Sequence, residues 1–191
     1  MNNSLYTIID FETTGLDAKK EQVTEIAALK IDAKGNEYGS LHTFVRLTNG
    51  RKPSPYAKVT EEECEHGMEE SEALTMLSSF CKDTIVVAQY APFDFSFIDT
   101  YLQPKEFICT RTLTFMVEPK ENPSLVVTCE RNNIKVLNAH RAMDDVMMTK
   151  EVFLLQKSEA DKKEFDYRNV IVDFKKRPLV FVPENAIIIN E

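Results

Sequence analysis

The chain has 191 residues, 43% hydrophobic and 28% charged, a composition that suits one globular domain with a full core and excludes intrinsic disorder. Its formal net charge of −8 disfavours tight, extended binding to a nucleic-acid duplex, where affinity comes from Lys and Arg. No apolar run is long enough to span a membrane, and Met1-Asn2-Asn3-Ser4 lacks the basic-then-apolar pattern of a secretion signal, so neither a membrane span nor export is expected.

Leu5 to Ile9 is a short apolar, β-branched run that predicts a buried strand stopping at Asp10. Val23 to Asp32 reads as a second strand, Ala33 to Asn36 as a turn, and Tyr38 to Leu47 as a third strand, an antiparallel meander. Arg51 to Pro55 is loop, and Thr60-Glu61-Glu62-Glu63 opens with a capping box. Ser71 to Lys82 places Leu74, Leu77 and Cys81 on one helical face, with Ser71 as N-cap. Strand and helix then alternate: strand Thr84 to Ala88, helix Asp94 to Leu102, strand Phe107 to Cys109, and helices around Arg111 to Val117 and Ser124 to Asn132. A longer helix runs from about His140 to Gln156, with Val146, Thr149, Val152 and Phe153 near one face. A meander leading into βα units implies a mixed sheet flanked by helices, an α/β fold.

Lys157 to Arg168 is charged and reads as a connection. Asn169 to Phe174 and Leu179 to Val182 look like strands of a terminal hairpin around Lys175-Lys176-Arg177-Pro178. Residues 1–156 are thus one domain, and 157–191 a C-terminal extension, a β-hairpin packed on it. The basic run is either a solvated turn or a contact for a phosphate backbone or partner protein. The four cysteines, Cys64, Cys81, Cys109 and Cys129, stand 17, 28 and 20 residues apart. None has the short spacing of a zinc site, so buried reduced thiols and an intracellular, cytoplasmic setting are expected.

Three short segments carry chemistry. In Asp10-Phe11-Glu12 an extended backbone would set Asp10 and Glu12 side by side, since residues two apart share a face. Adjacent carboxylates hold protons unless a cation lies between them, although carboxylates near a strand end are also simply solvated. Ala91-Pro92-Phe93-Asp94 follows an apolar strand, and there Asp94 either faces the same site or caps the next helix. In His140-Arg141-Ala142-Met143-Asp144-Asp145, His140 and Asp145 are five residues apart, about 140° around a helix, and can both border a site at its first turns. A capping Asp-Asp pair with a surface histidine is the competing reading.

Joined, the segments describe phosphodiester hydrolysis, which needs an activated water, in-line geometry and neutralised charge on the leaving oxygen. Two divalent ions about 4 Å apart supply all three. Mg²⁺ or Mn²⁺ demand oxygen ligands, which Asp10, Glu12, Asp94 and Asp145 offer, and a neutral His140 near the attacking water fits a general base. From Gln156 to Glu191 seven basic residues balance seven acidic ones, so the preceding segment carries the whole −8. Two bound cations would neutralise four of those charges, which suits a small end-binding site.

On these motifs the chain resembles the DEDD superfamily of 3′–5′ exonucleases, above all its histidine branch, which includes the proofreading epsilon subunit and PolC exonuclease domain of bacterial replicative polymerases. Asp10-Phe11-Glu12-Thr13-Thr14-Gly15 matches the first motif, Phe93-Asp94 the second, and His140-Arg141-Ala142 with Asp145 the third. The likeness runs from about Leu5 to Leu155. It implies a ribonuclease H-like fold, two metal ions held by Asp10, Glu12, Asp94 and Asp145, and His140 activating water. It also implies substrate-binding positions at Thr13, Thr14, Leu16 and Phe93, with Leu16 wedged against the terminal base or else packed after the turn at Gly15. Two places depart from the family pattern. Gln89-Tyr90 stands where many relatives have His-Asn, and Tyr90 either stacks on a base or is a core or rim residue. Ala57 and Lys58 precede Val59-Thr60, where a histidine is frequent.

The activity so implied is metal-dependent 3′–5′ exonuclease action on single-stranded DNA or RNA 3′ ends, DNA favoured, in replication and proofreading. No polymerase motif accompanies it, so a separate DNA polymerase would be the partner. An oligoribonucleotide-trimming RNase and a non-catalytic polymerase-associated binding module are the competing readings.

Overall fold

The computed structural model describes residues 4–191, so Met1 to Asn3, part of the segment without a secretion signal, lie outside it. The alternation of β1 (Leu5–Thr13) decides the architecture: Tyr6 and Ile8 enter one apolar cluster and Ile9 and Phe11 another, on opposite faces of the sheet. β2 (Val23–Asp32) and β3 (Glu37–Phe44) pair antiparallel, β2 against β1 and β3 against β2. Two short helices' worth of chain follow, α1 (Glu61–Glu65) and α2 (Glu70–Phe80). Then come β4 (Ile85–Ala88), α3 (Ala91–Ile98), β5 (Phe107–Cys109), α4 (Thr110–Val117), α5 (Leu125–Arg131) and α6 (Ala142–Lys162). β4 pairs parallel with β1, and β5 with β4, which gives the order β3-β2-β1-β4-β5. The meander followed by parallel strands is therefore as expected. Leu74 and Leu77 of α2 and Phe95 and Ile98 of α3 cover the Ile9 face. Leu113 of α4 and Val146 and Phe153 of α6 cover the Tyr6 face.

Several element ends differ from the sequence reading, each for a local reason. β1 continues past Asp10, because Asp10, Phe11 and Glu12 keep their pairing with Ala27, Ile26 and Glu25. α2 is capped at Glu69 rather than Ser71, and its first residue is tied to the sheet by Glu70 Oε1 accepting from Val23 N at 3.0 Å. α3 begins at Ala91 rather than Asp94, since Pro92 in a first turn sacrifices no helical hydrogen bond. α6 begins at Ala142 rather than His140 and continues to Lys162 through the segment read as a connection. Lys157 with Asp161 (2.5 Å) and Lys162 with Glu159 (2.6 Å) brace that extra length, and Ala160 buries its methyl. The capping box at Thr60 and Glu63 forms as read.

The terminal hairpin does not form. β6 (Val170–Asp173) pairs in parallel with β7 (Ile187–Asn190), and Leu179 to Val182 carries no strand. Pro178 and Pro183 bracket that segment and cannot donate to a ladder, so the chain crosses over instead of turning back. The extension packs on the common core: Asn169 N donates to Phe107 O (2.9 Å), Asn169 Oδ1 accepts from Phe107 N (2.7 Å), and Ile171 is buried. All four cysteines are free and buried, and no helix among the described residues is long and apolar enough to cross a membrane.

Gly67, between α1 and α2, lies so close to the end of β3 that an added Cβ would sit 2.7 Å from Phe44 C and O and from Val45 C. Backbone cannot yield as a side-chain tip can. Gly67→Ala is expected to lose about 1–3 kcal/mol of stability by urea denaturation; an unchanged midpoint would refute this close approach.

Candidate active site

Asp10 and Glu12 share the face of Tyr6 and Ile8 but lie at the end of β1 where the parallel strands finish and α3 and α4 begin. Open α/β sheets bind ligands at such carboxyl ends. Two helices bring further carboxylates to the same edge: Asp94, 3% exposed, in the first turn of α3, and Asp145 in the first turn of α6. Glu12, His140 and Asp145 each present an atom within 4.8 Å of the others. Burial first, then the charges of Asp94, Asp145, Glu12 and Glu25, holds the Asp10 carboxyl well above its ordinary range. Burial, then Asp145 and Glu25, pushes Glu12 up to about 8 against the opposing charge of Arg141. Burial pushes Asp94 to about 7, with Arg177 opposing, and Asp145 to about 6.

These shifts share one physical meaning. Four carboxylates are crowded into a low-dielectric edge with too little positive charge to hold them ionised. Asp145 Oδ2 accepts from His140 N at 3.2 Å, but Oδ1 is buried without a partner. A divalent cation with a preference for hard oxygen donors fits this set, since it would satisfy the orphaned oxygen and reverse the sign of the local field.

His140 lies outside α6, in left-handed backbone at φ +69°. That conformation is costly for a residue with a Cβ, and two hydrogen bonds enforce it: the one to Asp145 and Lys58 N donating to His140 O at 3.0 Å. The imidazole itself is exposed. Lys58, one of the two departures from the family pattern, thus braces the histidine loop through its backbone.

The substrate positions divide. Thr13 Oγ1 donates to Gly15 O (2.7 Å), and Thr14 Oγ1 donates to Glu21 Oε2 (2.5 Å) and accepts from Gln22 N (3.0 Å), so both hydroxyls close the loop after β1. Leu16 is 77% exposed, which removes simple packing as its role. Beside it opens a cleft of about 660 Å³, lined by Leu16, Lys19, Phe97, Thr100, Val180 and Phe181. Phe93 is half-buried, edge-on to Phe97 at 5.2 Å. Tyr90 is buried with its ring covered by Arg177, which leaves it unable to stack on a base. Gln89 bonds Thr110 Oγ1 and Pro123 O behind the site.

Sequence reasoning missed Glu25. It is 1% exposed, directly opposite Glu12 in the β1–β2 register. Its Oε1 meets His42 Nε2 (2.6 Å) and Arg141 (3.3 Å), and its Oε2 accepts from Ala142 N (3.0 Å) at the start of α6. Arg141 also reaches Glu63 Oε1 at 3.1 Å. Glu25 therefore fastens the helix end that carries His140 and Asp145 to the strand beside Asp10 and Glu12. A charged residue inside the apolar run of β2 was its only signal.

Residues 7–153 match the family profile described as RNase T, exonuclease. Over 161 residues the chain is 30% identical to the PolC-type DNA polymerase III of Thermotoga maritima, a match that covers 80% of this chain and 12% of that much longer protein. Exonuclease I of E. coli in complex with a dT13 oligonucleotide aligns at a TM-score of 0.72 and 18% identity, over 84% of this chain and 42% of that one. The nuclease domain of 3′hExo, a DEDDh family member bound to rAMP, aligns at 0.71 and 12% identity, over 87% and 96%. At such identities the likeness is one of fold: a five-stranded mixed sheet between helices, ribonuclease H-like.

Proposed function

We propose, from the premise that this chain belongs to the RNase T exonuclease family, that it removes nucleoside 5′-monophosphates one at a time from the 3′ end of single-stranded nucleic acid, DNA in preference to RNA. The observation that carries this reading is the quartet Asp10, Glu12, Asp94 and Asp145, crowded at one edge of the sheet, with protons held above their ordinary range and one Asp145 oxygen buried and unpaired. These four residues would hold two divalent cations, Mg²⁺ or Mn²⁺, which when bound supply charge neutralisation at the scissile phosphate and lower the pKa of the attacking water.

The chain's own groups do the rest. His140, next to Glu12 and Asp145, takes the proton of the attacking water, and its exposed ring can pass that proton to solvent. The two hydrogen bonds on its backbone hold the loop from which the ring projects. Thr13 and Thr14 shape the loop that holds the terminal nucleotide, and Leu16, with Phe93 behind Phe97, borders its base beside the cleft. Residues 1–156 are the catalytic unit. Because the PolC relatives are polymerases of which this chain spans only a small part, a separate DNA polymerase is the proposed partner, in proofreading.

The test is hydrolysis of matched 5′-labelled single-stranded DNA and RNA with Mg²⁺ or Mn²⁺. Stepwise shortening from the 3′ end, faster on DNA and abolished by EDTA, is the expected result. Internal cuts, or no hydrolysis by folded protein with metal present, would overturn the reading.

A further inference from the structure

The basic run of the C-terminal extension does more than turn. Phe174 and Arg177 close a tight bridge, and the Arg177 guanidinium folds back to lie 4.1 Å from the centre of the Tyr90 ring, one turn before Asp94. A second guanidinium, Arg111 at the start of α4, reaches the same ring at 5.9 Å and the Phe174 ring at 5.0 Å. Arg111 Nε is buried with no hydrogen-bond partner. Among the described residues neither arginine has a carboxylate within ion-pair distance, nor have Lys175 and Lys176 beside them. Arg141, at the same edge, is by contrast neutralised by Glu25 and Glu63.

Two like charges held around one aromatic ring, with no carboxylate within ion-pair distance among the described residues, repel one another. Burial first, and then the charge of Arg177, already disfavours the charged form of Arg111. Tyr90, the ring both guanidiniums meet, is the N-cap of the helix whose first turn carries Asp94, so the pair lies beside the catalytic edge. An anion bridging the guanidiniums would relieve the repulsion. The planar N–H forks of arginine match phosphate oxygens in pairs, which lysine cannot do.

We infer that Arg111 and Arg177 form a phosphate clamp that holds a backbone phosphate of the nucleic-acid strand flanking the scissile one. The clamp rests on the exonuclease reading for the identity of its ligand. It also answers how a chain of net charge −8 grips a polyanion: through two arginines on the carboxyl edge of the sheet and not through a basic surface. Arg177 belongs to the extension, so this segment becomes part of the substrate site.

The probe is a short 5′-labelled oligothymidylate, bound in Ca²⁺ and shortened in Mg²⁺. Arg177→Ala is expected to weaken binding about tenfold and to reduce the slope of log affinity against log salt by about 0.7, the share of one phosphate on a single strand. Arg177→Lys is expected to keep most of the slope and lose affinity, since it retains charge without the fork. Lys82→Ala, on the opposite edge of the sheet ahead of β4, serves as the control for loss of a surface charge. Arg177→Ala indistinguishable from Lys82→Ala, while the parent protein shortens the strand, overturns the clamp and leaves the exonuclease reading intact. Binding that depends on Arg177 without any shortening supports the clamp and overturns the catalytic reading. Thermal unfolding accompanies each variant, and Arg111→Lys gives a second route should Arg177→Ala fold poorly.

Discussion

Asp10→Asn is expected to slow strand shortening by about 10³-fold or more, about 4 kcal/mol of barrier, and yet to make the metal-free protein more stable at pH 8. Both effects have one origin. Asp10 is the carboxylate on which the charges of Asp94, Asp145, Glu12 and Glu25 converge, so it is the position where a bound cation gains most and an empty site suffers most. The sign follows from the direction of the shifts. Carboxyls with folded pKa values above those of the unfolded chain contribute stability that is present below about pH 4 and is lost as pH rises through the folded values. Those values are about 6 for Asp145, about 7 for Asp94 and about 8 for Glu12. The metal-free wild type should therefore lose thermal stability between pH 5 and 8 by this route, and Asp10→Asn should lose less. Mn²⁺ at about a hundred times its Kd should restore roughly 5–10 °C to the wild type at pH 8 and less to the variant. Calorimetry at the two pH values, with EDTA and with Mn²⁺, reads both; a metal-free Asp10→Asn that melts below wild type at pH 8 would sink the account.

Glu25→Ala should be the most damaging change outside the proposed ligands, at about 3–5 kcal/mol of stability and a 10–100-fold fall in kcat. Two effects oppose each other. Removing Glu25 takes a negative charge from beside Glu12, Asp10 and Asp145, which relieves the crowded edge. It also strips Ala142 N, His42 and Arg141 of their common acceptor. Charge-assisted hydrogen bonds are each worth about 1.5–3 kcal/mol, and three are lost in a buried place, so the loss outweighs the relief. Glu25→Gln keeps an oxygen for Ala142 N and should fall between the two. Urea unfolding together with kcat at saturating substrate separates a stability defect from a displaced helix end. A Glu25→Ala protein within 1 kcal/mol of wild type would show that α6 is fastened elsewhere.

The division between what was legible in the sequence and what was not follows the range of the interactions. Asp10 with Glu12, and His140 with Asp145, are close in sequence, and Asp94 is marked by the apolar strand before it, so each announced itself locally. The meander was equally plain, because alternation over the residues of β1 and β2 needs no distant partner. Glu25 was opaque because its meaning lies in contacts with Ala142 and Arg141, more than a hundred residues away. The Arg177 side chain was opaque for the same reason, since Lys175-Lys176-Arg177 reads as a solvated turn until Tyr90 is seen beneath it. The parallel pairing of β6 with β7 was hidden because proximity in sequence favours a hairpin, and only the prolines at 178 and 183 argue against one.

The central place of β1 sets the order in which the nascent protein can mature on the ribosome. Its antiparallel partner is complete at Asp32, but its parallel partner arrives only with Ile85 to Ala88. At about 5–20 residues per second the free edge of β1 waits roughly 3–10 s for that strand, unpaired and apolar. The proposed cation site is later still, since Asp145 and the clamp around Arg177 are translated after the five-stranded sheet. Cations bound at the proposed site would consequently not guide the early collapse of this chain but would act on a scaffold whose central sheet is already translated.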